Sequence, residues 1–133
     1  MASFAPAAAP TRGYTILIIF GLFLWAGGVA ILRFAAGAGW LEGAGLIAFY
    51  AFTVPLTWPL IPVGPKLAGL PRTATAEATA LVCASAVTLD GLVIGFAPWI
   101  YASDVAQAKA VAGCLLWAIG VALILGFVRR PAA

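Results

Sequence analysis

Charged residues in this chain fall at the edges of long apolar runs. Twenty uncharged residues separate Arg12 from Arg33, 23 separate Glu42 from Lys66 and 19 separate Lys109 from Arg129. A helix needs roughly 20 apolar residues to cross the hydrocarbon of a bilayer, so each run has the length of one crossing. A fourth apolar segment, about 73–97, carries Glu77 near one end and a single carboxylate, Asp90, in its interior. The pattern predicts an all-α integral membrane bundle of four transmembrane helices over 14–35, 41–61, 73–97 and 105–128. Connections this short make neighbouring helices antiparallel, in up-down order.

Composition places the chain in a membrane independently of the pattern. It is 65% hydrophobic and 8% charged, with a mean hydropathy of +1.13, well outside the range of soluble domains. The whole chain, 1–133, reads as a single domain. Only the alanine- and proline-rich start, "MASFAPAAAPTR", and the tail, "RRPAA", form substantial segments outside the membrane. Such a start is ordered only where something packs on it, so it is expected to lie against neighbours. The first apolar core is too long for a cleaved signal peptide and is expected to be retained.

Arg12, Lys66, Arg72, Arg129 and Arg130 fall on the side shared by both termini, and Arg33 and Lys109 on the other. By the positive-inside rule both termini are cytoplasmic, and the expected location is the bacterial inner membrane. The net charge of +3 and pI ≈ 9.2 arise from these flanking residues. They suit anionic lipid headgroups; no basic patch with interleaved aromatics points to nucleic acid.

Asp90 is the residue that asks for an explanation, because a charge in hydrocarbon costs several kcal/mol by the gentlest scales. Arg33 closes the first span, and Asp90 lies ~10 Å below the matching end of the third. An arginine stem can reach that far, so an intramembrane Arg33–Asp90 ion pair is expected, fixing the register of spans one and three. A proton or cation relay is the sharper alternative. Its far end could only be Glu77, with Cys83, Ser85 and Thr88 between and no further carboxylate.

In the fourth span, Ala106, Ala110, Cys114, Ala118, Ala122 and Gly126 recur at every fourth position. Small residues so spaced let helix backbones approach closely in lipid. Ala76, Ala80 and Ala84 offer the same spacing in the third span, so a contact between spans three and four is expected. Pro55 and Pro59, with Pro62 and Pro65 following, bend or break the second span. Trp40, Trp99 and Tyr101 belong at the outer interface and Trp58 at the inner one, as anchors. Trp25 and Trp117 fall mid-membrane, where tryptophan fills packing gaps or faces a neighbour.

The chain has no histidine, the commonest ligand for haem or a chlorophyll-type magnesium and the usual general base. Cys83 and Cys114 lie at different depths, so they read as small packing residues and not a disulfide. No glycine-rich phosphate loop occurs. No cofactor is predicted, although the mid-membrane aromatics leave room for a bound lipid, quinone or carotenoid. An enzyme acting on lipids or isoprenoids has no acid-base pair to support it.

The run "AILRFA", the proline-bearing "FTVPLTWPL", "LDGLVIGFAPWIY" and "AVAGCLLWAIGVALILGF" occur in an order that resembles a family of small bacterial four-helix membrane proteins of unknown function. Leu89, Asp90, Phe96, Ala97 and Pro98 fit that pattern best, and Gly91 stands where alanine is more usual. The resemblance implies the four-span topology and draws attention to Arg33 and Asp90, without an activity. The expected function is a non-catalytic structural or accessory subunit of a larger membrane complex, respiratory or photosynthetic, in contact with membrane lipids and other membrane subunits. The alternative is a small ion- or proton-coupled transporter or channel using Asp90 and Arg33.

Overall fold

A computed structural model describes residues 11–132; the alanine- and proline-rich start and its expected neighbours lie outside the described residues. Among those described, the structure is all helical. It consists of α1 (Thr11–Gly37), α2 (Gly43–Thr57), the short α3 (Val63–Leu67), α4 (Thr75–Phe96) and α5 (Val105–Val128), with 3-10 turns at Arg72–Ala74 and Pro98–Ile100. Apolar residues cover every side of the long helices, and side chains as large as Phe23 and Phe96 point outwards, 73% and 79% exposed. A helix apolar all round has lipid or protein on every side. Among the described residues, three helical stretches are long and apolar enough to cross a membrane: Thr11–Gly37, Arg72–Phe96 and Val105–Val128.

The sequence pattern assigned 41–61 to the second span, and the structure corrects that range. Pro55 stands near the end of α2, and Pro59 and Pro62 follow it. Lacking an N–H and crowding the preceding turn, prolines so spaced prevent the helix from continuing. The helix therefore has 15 residues, about 22 Å, which is short of the ~30 Å hydrocarbon. It is followed by turns and then α3. The other ends have ordinary causes. Gly39, at φ 72°, terminates α1, with Trp40 N–H donating to Ala35 and Gly39 N–H to Ala36 in the paired-bond pattern of a glycine stop. Asp104 caps α5 by accepting from Gln107 N–H at 2.9 Å.

Side-chain contacts give the directions. The C-terminal end of α1 meets the turn after α4, through Arg33, so α1 and α4 point the same way. We call this the upper end. α5 starts there, with Gln107 Nε2 3.3 Å from the Ala36 carbonyl, and runs down until Gly126 meets Thr79 near the start of α4. α2 also runs down. Tyr50 stacks on Trp117 at 5.3 Å, and Arg129 Nη1 donates to the Trp58 carbonyl at 2.7 Å while its guanidinium lies 4.6 Å from the Trp58 ring.

Packing runs in the order α1, α4, α5, α2, with α3 tucked under α1 and α4. Consecutive in sequence, α1 and α2 are thus at opposite edges of the arrangement. Three glycines mark its closest contacts: a Cβ on Gly21 would lie 2.6 Å from the Val82 carbonyl, one on Gly126 2.9 Å from Thr79 Cβ, and one on Gly113 2.9 Å from the Tyr50 hydroxyl. Of the small residues in α5, Cys114 and Gly126 are buried, Ala110, Ala118 and Ala122 half-buried and Ala106 exposed. The facing surface of α4 differs from expectation. Ala76 is buried as expected, but Ala80 and Ala84 are exposed, and Thr79, one position before Ala80 and so on another side of the helix, is what Gly126 meets.

Candidate functional site: a lateral cleft with a buried carboxylate

The gap between α1 and α2 is a cavity of about 350 Å³. α1 lines it with Trp25, Gly27 and Gly28, α2 with Thr53, and α4 and α5 form its floor. A Cβ built on either glycine meets nothing, which is how α1 keeps that wall open. The upper end is filled by a cluster that includes Leu32, Leu41, Tyr101 and Val111. The lower end is closed by Ile61, Gly64 and Pro65, all buried, with Gly64 against Leu17, Phe20 and Val82. The free approach is therefore sideways, between α1 and α2.

Asp90 stands at the top of this cleft, 4% exposed. Its Oδ1 accepts from Trp25 Nε1 at 2.9 Å and from the Tyr101 hydroxyl, and Trp25 Nε1 also lies 3.0 Å from the Tyr101 oxygen. Tyr101 reaches this position because Pro98 starts a 3-10 turn after α4 that folds the chain back over the bundle. Burial, and then the hydrogen bond and charge of Asp90, hold the Tyr101 phenol above its ordinary value, so it remains a donor.

The expected Arg33–Asp90 ion pair does not form. Arg33 Nη1 donates to the carbonyls of Trp99 and Ile100, at 3.0 and 2.8 Å. The physical reason is the acceptors on offer: the 3-10 turn leaves these carbonyls free beside the end of α1, while Trp25 and Tyr101 hold Asp90 through Oδ1 on the cleft side. The arginine ties the turn down, and the turn delivers Tyr101. A second correction concerns Tyr101 itself, which is 1% exposed and is no interfacial anchor. Trp40, Trp58 and Trp99 are exposed at the helix ends.

Trp25 and Tyr101 are the site residues that sequence reasoning missed. The signal was present, since a buried tyrosine or tryptophan needs a partner for its polar tip, and Asp90 is the only carboxylate inside an apolar run. The cysteines are free: Cys114 is in the upper core and Cys83 in the cleft wall. Among the described residues, no three His, Cys, Asp or Glu side chains converge in a way that could hold a metal. Comparison with known protein families, with curated proteins and with solved structures gives no match. Function must therefore be argued from the cleft.

Proposed function

We propose that this chain is a non-catalytic accessory component of a bacterial inner-membrane complex, and that its cleft receives an apolar molecule from the lipid phase. In this reading α2 and the turns after it complete a fourth crossing, and the lower end, with both termini, faces the cytoplasm. The observation that carries the reading is the lateral opening: α1 and α2 stand apart, both ends of the gap are closed, and its walls are apolar apart from a few side chains. A molecule dissolved in the bilayer can enter such a site without passing through water. The test is gentle purification followed by native mass spectrometry and visible absorption. Wild type is expected to carry a bound lipid, quinone or carotenoid, and Gly28→Phe, which fills the cleft, to lose it. Wild type that is always bare would overturn the ligand reading. A stable monomer that never co-purifies with larger subunits would overturn the accessory role.

A second reading, ion- or proton-coupled transport, draws on Asp90 as a buried carboxylate in a cavity. Against it, Glu77 is exposed at the far end of α4, and the hydroxyls of Ser85 and Thr88 donate to carbonyls four residues back, so no chain of titratable groups joins the two. Liposome flux abolished by Asp90→Asn with the fold intact would favour transport.

A further inference from the structure

Two polar atoms on cleft-lining residues lack a hydrogen-bond partner among the described residues: the Thr79 hydroxyl, which is fully buried against Gly126, and Asp90 Oδ2. Both donors at Asp90 converge on Oδ1; among the described residues Oδ2 receives none, and the aspartate is a cleft residue. Of the other wall hydroxyls, those of Thr53 and Thr57 each donate to the carbonyl four residues back, and that of Thr79 is shut in at the α4–α5 contact. We infer that the cleft binds an uncharged long-chain alcohol, with its hydroxyl on Asp90 Oδ2 and its tail running down towards α3.

The inference rests on the cleft reading above and adds the chemistry of the head and the length of the tail. A hydroxyl is the smallest uncharged head that fits Oδ2 in either protonation state, donating to a carboxylate or accepting from a carboxylic acid. A carboxylate or phosphate head would meet an ionised Asp90 with like charge. An ammonium head would have to leave water for hydrocarbon to arrive by the lateral route. Two measures agree on the tail. At ~30 Å³ for a group the size of water, a cavity of about 350 Å³ holds about a dozen methylene-sized groups. Asp90 and Thr79, both lining the cleft, are 11 positions apart on α4, roughly 16 Å; with C–C bonds of ~1.5 Å an extended chain covers that in about a dozen carbons.

The test measures thermal unfolding of the full chain in detergent with 1-dodecanol, n-dodecane or dodecanoate added at equal mole fraction. A ligand of the folded state raises the unfolding temperature with its concentration, and Gly28→Phe, with the cleft filled, controls for effects of the probes on the micelle. Dodecanol is expected to stabilise wild type at a concentration about tenfold lower than dodecane, one hydrogen bond's worth of affinity, and dodecanoate to do so least. Asp90→Leu should bring dodecanol down to the level of dodecane; if that variant does not fold, the ranking of the three probes on wild type still decides. Equal stabilisation by dodecanol and dodecane, abolished by Gly28→Phe, would overturn the head-group inference while leaving an apolar cleft. No stabilisation beyond that of Gly28→Phe by any probe would overturn both.

Discussion

Removing the two donors at Asp90, singly and together, tests how the carboxylate is held. Tyr101→Phe deletes one hydrogen bond to Oδ1 and leaves Trp25 Nε1 at 2.9 Å from the same oxygen. A hydrogen bond to a charged group contributes ~1.5–3 kcal/mol, and measured cases within membranes fall nearer ~0.6–1.7, so the expected cost is about 1–2 kcal/mol. Trp25→Phe should cost a similar amount for its bond, plus lost packing. The double variant leaves the buried carboxylate without a donor, and an uncompensated buried charge costs ~3–5 kcal/mol. Its cost should therefore exceed the sum of the singles by about 1 kcal/mol or more. Arg33 donates to Trp99 and Ile100 and not to Asp90, so it can act on the carboxylate only through Tyr101; in a Tyr101→Phe background Arg33→Leu and Trp25→Phe should be additive within ~0.5 kcal/mol. The assay is unfolding in mixed micelles with rising SDS, followed by far-UV circular dichroism so that loss of a tryptophan does not alter the probe. Additivity for Trp25 with Tyr101, or coupling above ~1 kcal/mol for Arg33 with Trp25 in the Tyr101→Phe background, would refute the assignment of partners.

Three further expectations concern the frame around the site. Gly126→Val, whose Cβ would meet Thr79 at 2.9 Å, should destabilise by ~1–3 kcal/mol, whereas Gly120→Ala, which meets nothing, should stabilise by ~0.4–1 kcal/mol; the same SDS titration compares them. Cys83 and Cys114 are buried and unpaired, so a membrane-impermeant maleimide should modify neither in the folded protein and both in SDS, and a disulfide under native conditions would contradict the packing. A reporter fused after the C-terminus should show cytoplasmic activity if the chain passes four times with the positive side inward; periplasmic activity would reverse that orientation.

The sequence made the long helices legible because membrane spans are set by length and apolarity alone, and α5 occupies the range, Val105–Val128, that the charges and flanking residues bracket. It also singled out Asp90, since a lone carboxylate in an apolar run is conspicuous. The partner of Asp90 was not legible, because in a sequence an opposite charge is conspicuous and a neutral donor is not. Arg33 looked complementary in charge and depth, yet the free carbonyls that it serves belong to a 3-10 turn whose fold-back no helical period reveals. The place of Tyr101 just after α4 points to the interface, and only that turn brings it inward. The cleft was illegible for a related reason: short connections imply that sequence neighbours pack together, whereas α1 packs on α4 and leaves α2 to α5. The paired glycines Gly27 and Gly28 carry no mark of whether they admit a helix or leave a space.

The lateral opening of the cleft is measured most directly by a spin label on a cysteine at Gly28, in a chain with Cys83 and Cys114 replaced by alanine, reconstituted in bilayers. Collision rates with oxygen, which concentrates in lipid, and with a polar nickel chelate, which stays in water, report which phase reaches the label. A cleft open to the bilayer and closed at both ends predicts strong relaxation by oxygen and little by the chelate. Strong relaxation by the chelate would mean a water-filled passage, and protection from both would mean that α1 and α2 close on each other; either result contradicts the account.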